Sequence, residues 1–354
     1  MAQAPTPPGA YVPAQDVWGR FEDLVAELPE GTFVLVDERV QRLHPKVTRA
    51  LKKRKPLRVV ALKAGENVKT VTRLQTVATA AHALKRSGLM LCIGGGTVGD
   101  LGTVAAHLIK RGVPLIHVPT TLLAAVDSSV GGKGALHVGR VKNALGAFHY
   151  PVKTWICPEL FETLAPAQIR EGITEAWKMF ACLDAARFQR FREAAPALPE
   201  LIRDARSVKE RVCAVDPYDA TGVRAVLNFG HTFGHVIETL SRFRVSHGDA
   251  VGLGIRCALD VGHALGVTNG PVRDDVEGTL ERCVGILPRE RLARVLSSAS
   301  AADIRHVLLA DKKGADAAAV KMVLLRDVGA TVSMNVPTTT WMALLPAWRK
   351  GVRP

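Results

Sequence analysis

Between Leu227 and His247 the chain reads LNFGHTFGHVIETLSRFRVSH, setting Asn228, His231, His235 and His247 among apolar residues at helical spacing, namely Phe229, Phe233, Val236, Ile237 and Leu240. Residues four apart lie on one helix face, so His231 and His235 point the same way. Two imidazoles facing one cavity can hold a metal, a phosphate or a proton. A single histidine on an apolar helix is ordinarily a satisfied core residue. Three of them with an asparagine, beside Gly230 and Gly234 where a ligand or another backbone can come close, read instead as a site. The spacing is not HExxH, because Thr232 stands at the glutamate position, so a metal here takes a further ligand from elsewhere in the chain. Glu175 and Lys178 in EGITEAWK put an acid and a base on one helix face, which suits a structural ion pair as well as it suits chemistry.

A second constellation lies earlier. Gly94 to Gly99 in GGGTVGD satisfies GxGxxG between an apparent strand and a helix, the setting in which bare N–H groups and a helix N-terminus receive a pyrophosphate. It departs from the ordinary dinucleotide fingerprint in following the third apparent strand and in lacking an Asp or Glu about twenty residues on. A nucleotide is therefore expected on a variant of that fold. The segment from Thr120 to Asn143 has little apolar periodicity and much Gly, Ser and Lys, which reads as a long functional loop. Asp127 at the first glycine position and Gly134 after Lys133 exclude a P-loop, and no GxSxG surrounds Ser128 or Ser129, which excludes a nucleophile elbow.

The elements that must position these residues follow from the pattern. Buried strands are predicted over 32–37, 57–62, 89–93 and 114–119, with helices over 68–86 and from the glycine turn to about Lys110. Strands alternating with helices predict a parallel sheet. After Pro151 and a short strand KTWI the pattern turns helical almost to the end. The expected organisation is a Pro-rich disordered lead-in over 1–15, an α/β Rossmann-like nucleotide-binding domain over 16–157 and an all-helical domain over 158–354.

Composition agrees with a soluble globular protein. At 354 residues and 47% hydrophobic content the chain can bury two cores. No apolar run approaches the roughly eighteen residues a membrane helix needs, and MAQAPTPPGAYVPAQ has neither region of a signal peptide. Six scattered cysteines without a CxxC pair suit a reducing compartment, so a cytoplasmic protein is expected. The net charge of +14 raises a nucleic-acid reading, but aromatic residues make up only 5% and LKKRKPLR is the one basic run. That run reads as a solvated face, and the positive field as one that steers small anions.

In order along the chain, GGGTVGD, RGVPLIHVPTTLLAAVDSSVGGK, KNALGAFH, TEAWK, GVRAVLNFGHTFGHVIE, HGD and DKK at Asp311 to Lys313 resemble the 3-dehydroquinate synthase family of sugar phosphate cyclases, over about Asp37 to Gly329. The resemblance implies an active site between two domains, and a homodimer. It implies Glu175, His231 and His247 as ligands of a divalent metal, zinc or cobalt. It implies NAD on Gly95, Gly96 and Asp100, with Thr120, Thr121, Leu123, Asp127, Lys142, Thr163 and Leu164 around it and Asp37, Glu66 and Lys69 toward the adenosine end. The implied substrate is a 3-deoxy-heptulosonate 7-phosphate, a phosphorylated and carboxylated sugar acid. Its phosphate falls to Lys133, Asn143, His235, Arg111 and Lys312, its carboxylate to Lys209 and Arg224, and its hydroxyls to Lys178 and Asn228. NAD is then a resident catalyst: oxidation at C5, elimination of phosphate, return of hydride, ring opening and an aldol closure, with no net redox.

The sequence departs from the family pattern at named places. Arg39 stands where an Asn is usual, Gln168 where a Glu is common, HGD replaces HGE after His247, EAWK replaces EVIK, and one extra residue lies between Asp216 and Arg224. The rival expectations are a cyclase acting on sedoheptulose 7-phosphate, a metal-dependent polyol dehydrogenase of the same broad fold, and a basic binding protein without catalysis. Arg224, Asn228 and the GGK motif favour a carboxylated substrate. The anion-binding residues disfavour a polyol, and the complete residue set disfavours a non-catalytic protein.

Overall fold

The computed structural model describes residues 12–56, 58–139, 141–310 and 318–354. They fall into two units. The first comprises the described residues up to Leu164 together with Lys209–Tyr218. In chain order it carries β1 (Gln15–Trp18), α1 (Phe21–Glu27), β2 (Phe33–Asp37), α2 (Glu38–Leu43), α3 (Pro45–Lys53), β3 (Arg58–Leu62), α4 (Val71–Ala80), β4 (Met90–Gly94), α5 (Gly96–Leu108), β5 (Leu115–Pro119), β6 (Lys133–Val138), β7 (Val141–Phe148) and β8 (Lys153–Ile156). The runs FVLVD, MLCIG and LIHVP have no polar side to offer water, as strands covered on both faces require. They form the middle of a six-stranded parallel sheet ordered β1-β8-β5-β4-β2-β3. One face buries Leu35, Cys92 and Leu115 with Val98 and Leu101 of α5, and the other buries Val34, Ile93 and Val118 with Phe21 and Leu24 of α1.

Three expectations change here. Residues 1–11 lie outside the described residues, but Gln15, placed in the lead-in, opens β1, which pairs with β8. The helix expected over 68–86 is a 3-10 turn, Glu66–Val68, followed by the shorter α4, because the Thr70 hydroxyl accepts Arg73 N–H at 3.2 Å and restarts the helix. The long loop expected over 120–143 contains a π-helical turn, Ala124–Ser128, and the antiparallel hairpin β6–β7. Its strands escape periodicity analysis because little of the hairpin is buried: Gly134 and Leu136 face inward while β7 is exposed over most of its length. A Cβ on Gly134 would fall 2.5 Å from Thr103 Cβ on α5, so β6 lies on that helix through a missing side chain.

The second unit comprises Ala165–Val208 and Asp219–Pro354. Its elements are α6 (Pro166–Leu183), α7 (Ala185–Glu193), α8 (Leu198–Val215, whose last residues belong to the first unit), α9 (His231–Leu240), α10 (His247–Ala264), α11 (Gly270–Thr279), α12 (Arg289–Leu296), α13 (Ala301–Ala310), β9 (Ala319–Asp327), β10 (Ala330–Pro337) and α14 (Thr338–Lys350). The unit is helix-rich, not all-helical: β9 and β10 form an antiparallel hairpin closed at Gly329, whose φ is 82°. The run MVLL in β9 is buried on both sides and so lacks the alternation that marks a strand. The stretch 227–247 is likewise not one helix. A 3-10 segment, Val223–Asn228, precedes α9, Gly230 at φ 78° breaks the chain between them, and a turn over 241–246 leads to α10. Among the described residues no helix is long and apolar enough to cross a membrane.

Candidate metal centre and nucleotide site

Three elements of the second unit each deliver one side chain to a common point. Glu175 comes from the middle of α6, and His231 and His247 are the first residues of α9 and α10. Their nearest donor atoms all lie within 4.8 Å of one another. Glu175 Oε1 is 3.7 Å from His231 Nε2 and 3.6 Å from His247 Nε2, beyond hydrogen-bond length and close to the ~3.4 Å between donors sharing one tetrahedral ion with bonds of about 2.1 Å. The ring orientations are set from behind. His231 Nδ1 faces the Phe229 carbonyl at 3.3 Å, and His247 Nδ1 faces Glu238 Oε1 at 3.2 Å. The other carboxylate oxygen, Glu175 Oε2, accepts from Lys178 Nζ, which also donates to the Leu227 carbonyl at 2.5 Å.

Glu175 is fully buried, yet its Oε1 has no hydrogen-bond partner among the described residues. A buried anionic oxygen without a donor is costly unless a cation meets it. The titration directions agree. Burial pushes the Glu175 carboxyl up, but Lys178 and then His231 and His247 outweigh it and hold it well below the usual carboxylate range. Burial, aided by Lys178, pulls His231 down to about 3, so its imidazole is neutral and ready to donate a lone pair. Burial also pulls on His247, but Glu175 and Glu238 prevail and push it up to about 10. A proton there fills the place of a positive charge that the surrounding carboxylates require. A carboxylate and two imidazoles with the fourth side open are the donor set of a catalytic divalent site, and the residues present fit such an ion.

The first unit holds the second constellation. From β2 the chain moves outward to β3, whereas from β4 it moves the other way to β5, so the order of strands reverses between β2 and β4. Ligands of open parallel sheets bind at the carboxyl ends of strands flanking such a reversal. Those ends are Asp37 and Gly94, and this explains why the glycine turn follows β4 and not the first strand. Here the glycines serve close packing, with φ of −77° at Gly95. A Cβ on Gly94 would sit 2.7 Å from Val98 Cβ, and one on Gly96 would sit 3.1 Å from Ser128 Oγ. Beside the turn, Lys69 Nζ bridges Asp100 at 2.7 Å and Asn143 Oδ1 at 2.7 Å. Burial raises the Asp100 carboxyl, and Lys69 opposes it. His137 Nε2 lies 2.7 Å from Glu66 Oε2, and its Nδ1 accepts Asn143 N–H at 3.0 Å.

The family model for 3-dehydroquinate synthase N-terminal matches residues 59–171, and that for 3-dehydroquinate synthase C-terminal matches 169–314. A 3-dehydroquinate synthase of Endomicrobium trichonymphae is 34% identical over 317 residues, 86% of this chain and 85% of that protein. That of Helicobacter pylori (strain P12) is 32% identical over 333 residues, 91% and 93% of the two chains. The chain belongs to the 3-dehydroquinate synthase family. Two solved structures of the same fold are a 2-deoxy-scyllo-inosose synthase complexed with carbaglucose-6-phosphate, NAD+ and Co2+, and a 2-epi-5-epi-valiolone synthase from Streptomyces hygroscopicus subsp. jinggangensis 5008 with NAD+ and Zn2+ bound. The first has TM-score 0.82, identity 23% and coverage of 95% and 96%; the second has 0.83, 22%, and 96% and 98%.

Several of the residues that the 3-dehydroquinate synthase pattern singles out are brought together. Glu175, His231, His247 and Lys178 form one group, and Lys69, Glu66, Asp100 and Asn143 another. Asp127 and Lys209 meet at 2.8 Å, with Lys209 also donating to the Asp127 carbonyl at 2.5 Å. Arg224 is buried in the 3-10 segment that ends at the exposed Asn228. His235 stands edge-on to His231 with ring centres 5.6 Å apart, outside the Glu175 group. Thr121 caps the turn after β5 by accepting Ala124 N–H at 3.2 Å, close to the buried Thr120 and to Leu123. Asp37 caps α2 through Arg39 N–H at 2.8 Å, and Thr163, beside Leu164, bonds His44 Nε2 at 2.9 Å. Lys133, its ammonium 5.9 Å from the centre of the Phe148 ring, and Lys142 are exposed on the hairpin. Arg111 is not brought to the glycine turn: it follows the far end of α5, about 20 Å away at 1.5 Å per residue. Lys312 lies outside the described residues. Sequence reading missed His137 and Glu238, both of which look like ordinary polar residues until the fold pairs them.

Proposed function

We propose that the chain is a 3-dehydroquinate synthase, a phosphate-eliminating carbon-oxygen lyase that converts 3-deoxy-D-arabino-heptulosonate 7-phosphate to 3-dehydroquinate and phosphate with NAD and a divalent metal. Family membership supports the reaction, and the observation that carries the chemistry is the buried, donorless Glu175 Oε1 facing two imidazole Nε2 atoms. Glu175, His231 and His247 hold the ion, zinc or cobalt, which supplies acidification of a substrate hydroxyl when bound. Gly95, Gly96 and Asp100, with Lys69 and Glu66 toward the adenosine, would hold NAD, which would supply a reversible hydride acceptor there.

The chain's own residues bind, orient and hold charge. Lys178 takes Glu175 Oε2 and so leaves Oε1 turned to the imidazoles, while its ammonium keeps the carboxylate ionised. Arg224 is assigned to the substrate carboxylate, since a buried guanidinium and a carboxylate pair in two parallel bonds. Lys209 is assigned to the same end, although its contacts with Asp127 fit it equally to shape the wall around the nucleotide. Lys133, Asn143 and His235 are assigned to phosphate, together with Lys312, and Asn228 to substrate hydroxyls; Arg111, at the far end of α5 from the glycine turn, is assigned to phosphate as a residue serving the site of a partner protomer. A homodimer in the cytoplasm completes the reading.

One assay tests it. Supplied with the heptulosonate phosphate, NAD and zinc, the protein releases phosphate without accumulating NADH, and removal of NAD abolishes turnover. NADH rising in step with product would identify a dehydrogenase instead. Phosphate release from sedoheptulose 7-phosphate but not from the heptulosonate would identify a cyclase for an uncarboxylated sugar.

A further inference from the structure

His247 is held from two sides by residues outside the Glu175–His231–His247 group. On the ring side, Nδ1 lies 3.2 Å from Glu238 Oε1. Glu238 is buried on α9, seven residues beyond His231, so the two share a helix face. One face of α9 thus supplies a ligand and the carboxylate that aims the next ligand. On the backbone side, His247 opens α10 immediately after Ser246, which caps that helix. The Ser246 hydroxyl donates to Asp249 Oδ2 at 3.0 Å, and Asp249 takes two bonds from Arg170, at 2.8 Å from Nε and 3.0 Å from Nη2. Arg170 is on α6, five residues before Glu175. Between His247 and Asp249 the helices touch through Gly248, where a Cβ would fall 2.4 Å from Glu171 Cα. The start of α10 is therefore clamped to the helix that carries the carboxylate ligand.

We propose that Glu238 and the Arg170–Asp249 pair are positioning residues that aim and anchor His247, and so set the affinity of the centre for its metal. The inference rests on the metal reading above. A carboxylate on the remote nitrogen of a liganding imidazole fixes its tautomer and orientation, and loss of such a partner lowers metal affinity about 10- to 100-fold. The bidentate Arg170–Asp249 geometry fixes both distance and angle.

The test is zinc affinity of the full-length protein, measured by competition with a chromogenic chelator, together with thermal unfolding of each variant without metal. Glu238→Ala is expected to weaken zinc about 10- to 100-fold, with Glu238→Gln recovering part of the loss because its amide oxygen still accepts from Nδ1–H. Asp249→Ala and Arg170→Ala are expected to weaken zinc by similar factors, and the double variant no more than the worse single one. Cobalt-loaded Glu238→Ala is expected to show a shifted visible absorption band, which a merely structural role would not produce. If variants unfold at lower temperature but bind zinc as tightly as the parent, the positioning role is wrong. If the parent itself binds no zinc, the metal reading fails first, and that result is distinct from a parent that binds and variants that bind equally.

Discussion

A fully buried carboxylate such as Glu175 persists only if its charge is met, and Lys178 meets one oxygen while the other faces His231 and His247. This separates the two histidines of the HxxxH pair. His231→Ala is expected to strip the purified protein of metal, since two protein ligands remain. His235→Ala is expected to keep its metal and to bind an unreactive phosphonate analogue of the substrate more weakly. Metal analysis and analogue titration of both variants check this, and metal loss from His235→Ala with retention in His231→Ala would reverse the assignment. The histidines of the group were noticeable in the sequence because histidine among apolar residues stands out by type, whereas Glu175 entered as a candidate ligand only through the family resemblance. Glu238 was not noticeable, because a glutamate near the end of a helix reads as solvent-facing until α10 is seen to cover it.

At the scale of elements, the candidate site depends on how α9 packs on α10, for each begins with a histidine of the group. The contact is made through glycines: a Cβ on Gly254 would fall 2.1 Å from the Gly230 carbonyl and 2.6 Å from Gly234 N, and one on Gly230 would fall 2.5 Å from Ile255 Cγ1. These helices approach so closely that backbone meets backbone. Gly254→Ala is accordingly expected to destabilise the protein by about 1 to 3 kcal/mol, the usual cost of overpacking, and to lower zinc affinity by moving His231 away from His247. Denaturant titration with and without zinc measures both, and an unchanged midpoint in both would show that the contact is slack. The sequence marked Gly230 and Gly234 as places where a ligand or another backbone can come close, and the structure puts a backbone there, but Gly254 went unmarked because spacing along one helix does not reveal the backbone of another. The same limit explains the β6–β7 hairpin, whose inward positions include a glycine, and β9, whose apolar run fits a helix as well as a strand.

Over the whole molecule, the alternation of strands and helices made the parallel sheet legible, whereas pairing order, which sets the reversal between β2 and β4, is a property of the folded chain. Charge is also unevenly spread: residues 39–63 contain ten Lys or Arg and no Asp or Glu, in a chain of net +14. Such a protein gains further positive charge as pH falls, and two histidines of the first unit sharpen the effect. Burial pulls His44 down, with Lys46 adding to it, and burial pulls His149 down despite the Val113 carbonyl, which lies 2.9 Å from its Nε2. Both folded-state values lie below the ordinary 6.5, so as pH falls the unfolded chain takes up these protons first. Their contribution to stability is complete above about pH 6.5 and is lost as pH drops toward the lowered folded values, at a slope of at most about 1.4 kcal/mol per pH unit for each group. The urea midpoint is therefore expected to fall between pH 7.5 and pH 5. His149→Gln, whose amide can still donate to the Val113 carbonyl but does not titrate, is expected to flatten that fall. A midpoint independent of pH over this range, or a variant with the parent's slope, would show that these buried imidazoles do not control acid stability.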